Sequence, residues 1–233
     1  MSTTEQAAAT RSGIRSRDWV AVAIIMGILV IDQIVKIWVK THMTIHESIE
    51  ITPWFYIRFI ENEGMAYGMT FIPKILLTLF RIVAVALLCW YLSQQIRQKA
   101  RWGYVVCLSM IVAGAAGNII DCMFYGLVFS ASTVLDPAQW VGWGEGYGVF
   151  LQGKVVDMLD FPIWTTTLPE WFPFRAGEEY TFFSAIFNVA DACITSGVIA
   201  VILFFRKELG ALSSSSASEE SEPATEAPNE QPS

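Results

Sequence analysis

Four blocks of this chain are each long and apolar enough to cross a bilayer, which takes about 20 such residues. They lie at roughly Trp19–Val39, Ile75–Ile96, Trp102–Tyr125 and Phe182–Phe205. The first is not a cleavable signal peptide. It is too long, carries Asp32 and Lys36, and lacks a small-residue cleavage site at its end. Of the 233 residues, 54% are hydrophobic and only 16% charged, a combination rare in a soluble domain of this length. The expected fold class is an integral membrane all-α protein with four transmembrane helices. A small extracytoplasmic β-containing subdomain and a disordered acidic C-terminal tail complete it.

Short flanks rich in Lys and Arg set the orientation. Arg11, Arg15 and Arg17 precede the first block, Arg97, Lys99 and Arg101 link the second to the third, and Arg206 and Lys207 follow the fourth. With four spans these clusters share one side, which is therefore cytoplasmic. Residues 1–17 form a cytoplasmic N-terminal segment, 18–208 a membrane domain and 209–233 a cytoplasmic tail. Both termini are inside, and the loops 40–74 and 126–181 are outside.

The net charge of −7 says little about partners, because Glu219, Glu220, Glu222, Glu226 and Glu230 crowd the tail. That tail is Ser, Glu, Pro and Ala and cannot bury apolar surface. No basic patch with interleaved aromatics supports nucleic-acid binding. Cys89, Cys107, Cys122 and Cys193 contain no C-x-x-C and read as small hydrophobes rather than a disulfide or zinc framework. In the first outer loop, Ile49–Ile51 and Trp54–Ile60 read as short strands. The second outer loop is rich in Trp, Gly and Phe, with Trp140 and Trp143 suited to headgroup level.

Ionisable residues inside a span are costly and are read as functional by default. Asp32 lies roughly 10 Å from the outer end of the first helix, and Asn118 and Asp121 lie near that of the third. Asn188 and Asp191 lie about 9 and 13 Å in from the outer end of the fourth. All fall in the outer half of the bilayer. Asn118 and Asp121 share a helix face, as do Asn188 and Asp191, and Asp32 and Lys36 can pair at i, i+4. For Asp32–Lys36 a structural ion pair and a functional role are both open, and for Asn118 an interhelical hydrogen bond is the competing reading. Gly114-Ala115-Ala116-Gly117 suits close helix packing. Arg81, near a helix end, reads as snorkelling outward.

Asp157 lies outside the spans in an apolar run, Gly153 to Asp160. A lone carboxylate there would turn neutral. A second one nearby would share its proton, the arrangement aspartic proteases use. The ionised member then takes a proton from water while the neutral one donates to the scissile carbonyl. From the residues alone Asp191, Asp32, Asp121 and Asp160 all compete as its partner.

Five motifs follow in order along the chain: Asp32-Gln33-x-x-Lys36, Asn62-x-Gly64-x-Ala66-Tyr67, Gly114-x-x-Gly117-Asn118-x-x-Asp121, Gly153-x-Val155-Val156-Asp157 and Phe187-Asn188-x-Ala190-Asp191. Together they resemble the motifs of the lipoprotein signal peptidase (signal peptidase II) family. The resemblance covers roughly residues 18–206. It implies an intramembrane aspartyl endopeptidase that cleaves diacylglyceryl-modified prolipoproteins before the lipidated cysteine. Asp157 and Asp191 are then the catalytic pair. Asn62, Gly64, Asn118, Asp121, Asn188, Asp32 and Lys36 bind substrate or support the pair. No metal or organic cofactor is implied, and the implied partners are the prolipoprotein and membrane lipid, with a monomeric enzyme in the bacterial inner membrane.

Two features depart from the family pattern. An Arg usually follows the Asp of the third motif, where this chain has Cys122, leaving Arg58 or Arg81 to replace it. The residues Leu127 to Gln152 separate blocks that many relatives join almost directly. A lid, a partner surface and an inert elaboration are open readings of that insertion.

A proton-coupled transporter would also bury Asp, Asn and Lys, but no carboxylate in the inner half completes a path. A zinc protease would need H-E-x-x-H, and His42 and His46 give H-x-x-x-H-E in an outer loop. Against a non-enzymatic scaffold stands only the motif set.

Overall fold

The computed structural model describes residues 3–63, 73–171 and 176–208, with side chains from Ser16 onward. Gly64, Ala66, Tyr67 and the acidic tail lie outside the described residues. Three helices are long and apolar enough to cross a membrane: Ser16–His42 within α1 (Thr3–His42), α2 (Lys74–Arg97), and Trp102–Val128. The last comprises α3 (Trp102–Ile120), a π-helical turn at Asp121–Tyr125 and the single turn α4 (Gly126–Val128). These agree with the first three blocks read from hydropathy.

The fourth block differs. Its helix, α5, runs only Val189–Phe204, because Asn188 stops it with a capping box. The Asn188 side chain accepts from the Asp191 N–H at 2.9 Å, and the Asp191 side chain accepts from the Asn188 N–H at 3.4 Å. Two of the N–H groups left free at the helix start are thereby satisfied. Asn188 and Asp191 therefore sit at the mouth of α5, not two turns down a helix starting at Phe182.

α3 is the central helix, buried against its neighbours over much of its length, while α2 turns Leu76, Phe80, Val83, Leu87 and Trp90 outward. An apolar outer face of that extent is stable only in lipid. Between α3 and α5 the approach is very close. A Cβ on Gly114 would lie 2.3 Å from the Ala190 carbonyl oxygen.

At one end of the bundle, β1 (Ser48–Thr52), β2 (Phe55–Asn62) and β3 (Val155–Asp160) form an antiparallel sheet in that order. The strands read from the first outer loop are β1 and β2. The second outer loop supplies β3, placing Val155 opposite Asn62 and Asp157 opposite Ile60. A bulge between Ile57 and Ile60 breaks the register beside Asp157. A separate hairpin pairs β4 (Trp164–Thr167) with β5 (Glu179–Phe182).

Two apolar cores result. One joins Leu92, Tyr104, Leu108, Val112 and Val201 inside the bundle. The other lies beneath the sheet, where Val39, Phe59, Phe129, Val156 and Met158 meet. The insertion closes on itself at its base, the Gly148 N–H donating to the Gly126 carbonyl at 2.9 Å. It packs its Phe129 and Ala138 into the second core.

Candidate active site

β3 enters the site from Gly153, whose N–H donates to the Cys122 carbonyl at 2.8 Å. The π-helical turn supplies that carbonyl by breaking the i to i−4 ladder of the helix. Only glycine fits there, since a Cβ would lie 2.1 Å from the Asp121 carbonyl oxygen. Two residues on, strand alternation turns Val155 and Asp157 to one face and Val156 and Met158 to the other.

Asp157 is 4% exposed, and both its oxygens are hydrogen-bonded. Asn188 donates to Oδ1 at 2.7 Å and Asn62 to Oδ2 at 3.0 Å. Asn188 also donates to Asn118 Oδ1 at 3.1 Å, and Asn118 donates to Asp191 Oδ1 at 2.8 Å. Two amides thus link the carboxylates of β3 and α5.

The amide orientations follow from their neighbours. Lys36 Nζ lies 2.8 Å from one terminal atom of Asn118. An ammonium only donates, so that atom is the oxygen and the NH2 group faces Asp191. In the same way the backbone N–H of Asp191 requires the oxygen of Asn188, which turns its NH2 group to Asp157.

Beneath the amides lies a fully buried charge cluster. Lys36 contacts Asp32 at 2.9 Å and Asp121 at 2.8 Å. Gln33 donates to Asp121 Oδ1 at 2.9 Å, and Asp32 Oδ1 accepts the Ala190 N–H at 2.9 Å. Asp32 therefore ties α1 to the first turn of α5. The i, i+4 pair read from sequence exists, and Asp121 makes it a triad.

Burial pushes the Asp157 carboxyl up to about 7, with the nearby Asp191 carboxylate adding to the rise. The Asn62 and Asn188 donors and the Lys36 charge oppose that shift but are outweighed.

Of the other carboxylates that competed for Asp157, Asp32 and Asp121 are committed to Lys36, and Asp160 faces Arg58 at 3.3 Å. Arg58 is thus not beside Cys122. Arg81 is, its Nη1 lying 3.7 Å from Cys122 Sγ. Arg81 thus turns toward the π-helical turn.

Sequence reasoning missed a second buried cluster. Lys40 Nζ contacts Glu61 Oε1 at 2.5 Å and donates to Ser132 Oγ at 3.1 Å, and both ionised groups are nearly inaccessible. The pairing joins three distant segments, so no local pattern announces it.

Solved structures resemble this architecture. One, a bacterial membrane enzyme determined by the in meso method at 1.9 Å resolution, matches with a TM-score of 0.51 and 25% identity, covering 79% of this chain and 90% of that one. A second, at 2.3 Å, has a TM-score of 0.55 and 23% identity over 82% of this chain and 89% of that one, a likeness of fold. The fold class is thus that of a membrane enzyme. The sequence profile described as Signal peptidase (SPase) II matches residues 24–206, and the chain belongs to that family. The lipoprotein signal peptidase of Porphyromonas gingivalis is 43% identical over 194 residues, 83% of this chain and 85% of that one. That of Amoebophilus asiaticus is 33% identical over 196 residues, 79% and 77% of the two chains.

Proposed function

We propose that this peptidase removes signal peptides from diacylglyceryl-modified prolipoproteins, cutting before the lipidated cysteine, with Asp157 and Asp191 as its catalytic pair. The observation that carries the assignment is the two-amide link between these carboxylates, locked by Lys36.

The pair works with one shared proton. Burial raises the Asp157 carboxyl to about 7, which favours holding the shared proton there below that pH. Asp191 lies in the first turn of α5, where the helix N-terminus favours negative charge. The ionised carboxylate takes a proton from the attacking water, and the neutral one donates to the scissile carbonyl oxygen. As the tetrahedral intermediate collapses, the carboxyl that took the water proton gives it to the departing amine, the C–N bond breaks, and a hydroxyl of the intermediate returns its proton to the other carboxylate, restoring the singly protonated pair. The two steps of titration belong to the pair as a unit. Asn62, Asn118, Asn188, Asp32, Lys36 and Asp121 hold its geometry, and the family motif adds Gly64 to the residues that serve substrate.

Four crossings with both termini cytoplasmic fit the Lys and Arg flanks. α5, at 16 residues, spans about 24 Å and starts at the level of the pair. A prolipoprotein carries its signal helix and acyl chains in lipid, so a site at the outer bilayer boundary suits it. The enzyme acts as a monomer.

The test is cleavage of a diacylated prolipoprotein by the purified protein in lipid, beside folded Asp157→Asn and Asp191→Asn variants. Cleavage by the parent and loss in both variants is expected. Full activity in both variants would sink the pairing, and an intact substrate with the folded parent would sink the reaction.

A further inference from the structure

The residues Leu127 to Gln152 back the sheet that carries Asp157. β2 has two faces here. On one, Asn62 donates to Asp157. On the other, the adjacent Glu61 is held by the insertion, Ser132 donating its hydroxyl to Glu61 Oε1 at 2.7 Å. Glu61 is also bound to Lys40 at the last turn of α1 and to Lys154 at 3.3 Å, one residue before β3. Tyr147 completes the seat. Its ring lies 4.9 Å from Lys40 Nζ, and its hydroxyl oxygen accepts the Lys154 N–H at 2.6 Å. The insertion holds the backbone of α1 as well, since the Ala138 N–H donates to the Lys40 carbonyl at 3.1 Å.

Burying a lysine and a glutamate is costly unless each is fully partnered. The insertion supplies that partnering through Ser132 and Tyr147, and the Lys40 and Lys154 charges hold Glu61 below the usual carboxylate range despite its burial. Glu61 thus stays ionised, and the cluster fixes three elements at once: α1, β2 and the lead-in to β3.

We propose that the insertion is a positioning brace: through Ser132 and Tyr147 it anchors Lys40, Glu61 and Lys154, which set Asn62 against Asp157. This inference rests on the assignment of Asp157 to the catalytic pair. It replaces the three open readings of the insertion with a positioning role.

The test uses Ser132→Ala/Tyr147→Phe, which removes the two hydroxyls and keeps the packing and the Lys40–Glu61 pair. The expected result on diacylated prolipoprotein is a fall in kcat of about tenfold, the size of one or two hydrogen bonds, with KM unchanged. Asp157 faces Asp191 and Lys36 as charged groups and Asn62 and Asn188 as donors. Loosening Asn62 alone removes a donor that favours ionisation, so the alkaline limb of kcat/KM moves to higher pH. Asn62→Ala moves it the same way, and the three substitutions together do no more than Asn62→Ala alone, because both act through one contact. A second variant, Lys40→Met/Glu61→Gln, removes both buried charges together and is expected to show the same displacement of the limb. Parent-like kcat and limb in both variants, or losses that multiply with Asn62→Ala, would overturn the brace. If Asp157→Asn itself retained activity, the pairing would fail instead.

Discussion

Lys36 donates to Asn118 Oδ1 at 2.8 Å, and this one contact decides which way the Asn118 amide points. With the oxygen taken by an obligate donor, the NH2 group must face Asp191. Lys36 is also the counter-charge of Asp32 and Asp121, all three being inaccessible to solvent. Lys36→Met would leave two buried carboxylates without a cation. A loss of about 3–5 kcal/mol is expected. Thermal unfolding in lipid or detergent reads the stability, and cleavage of prolipoprotein reads the amide. A variant with parent-like midpoint and rate would show that the triad does neither job.

The pH dependence follows from Asp157. Its carboxyl is raised to about 7 in the folded protein, above the ordinary carboxylate range. A raised acid holds its proton to higher pH when folded, so its contribution to stability is full below the ordinary carboxylate value of 3.8 and is lost progressively as pH rises to about 7. The singly protonated pair is lost as pH passes about 7, so kcat/KM falls above that value. Asn62→Ala removes a donor that favours the charged form, and the alkaline limb then moves upward. Rates measured from pH 5 to 9 check this, and a limb that stays in place or moves down contradicts it.

Much of this arrangement was legible because buried polar residues stand out against apolar spans. Asp32, Lys36, Asn118 and Asp121 lie on helices whose period places them on one face. Hydropathy places Asn188 and Asp191 too deep because Phe182 to Phe187 is apolar and aromatic enough to pass for helix. The spacing Asn188-x-x-Asp191 carries a capping-box signal that outranks hydropathy there. β3 was hidden because a fully buried strand shows no alternation, and five of its six residues are buried. The Lys40–Glu61–Ser132 cluster had no signal at all, since its members meet only after the sheet forms.

Gly114 tests how tightly α3 must hold α5. An added methyl would meet the Ala190 carbonyl oxygen at 2.3 Å and Ile194 Cγ1 at 2.8 Å. A helix carbonyl cannot yield as a flexible side chain can, so Gly114→Ala pushes the first turn of α5 away. Overpacking of this kind costs about 1–3 kcal/mol. Asp191 rides on that turn, one residue past Ala190, so activity is expected to fall more than stability. Gly27 has nothing within 4 Å of an added Cβ, and Gly27→Ala serves as the silent control. Equal behaviour of the two variants would contradict the packing argument.

Asp160 separates a carboxylate that is merely nearby from one in the pair. It lies three residues beyond Asp157 on the same strand, and odd spacing turns the two to opposite faces. Its partner Arg58 is 43% exposed at 3.3 Å, so the ion pair is screened and worth at most about 1 kcal/mol. Asp160→Asn is therefore expected to keep cleavage within roughly fivefold of the parent. Asp157→Asn removes a group that must change protonation during the reaction, and a loss on the order of 10⁴ is expected. Both substitutions are near-isosteric and start from buried carboxylates, so general disturbance of β3 would depress them alike. A wide gap between the two rates assigns the chemistry to one face of the strand. Comparable losses would mean that β3 tolerates no change, and the assignment of Asp157 would then rest on Asp191→Asn alone.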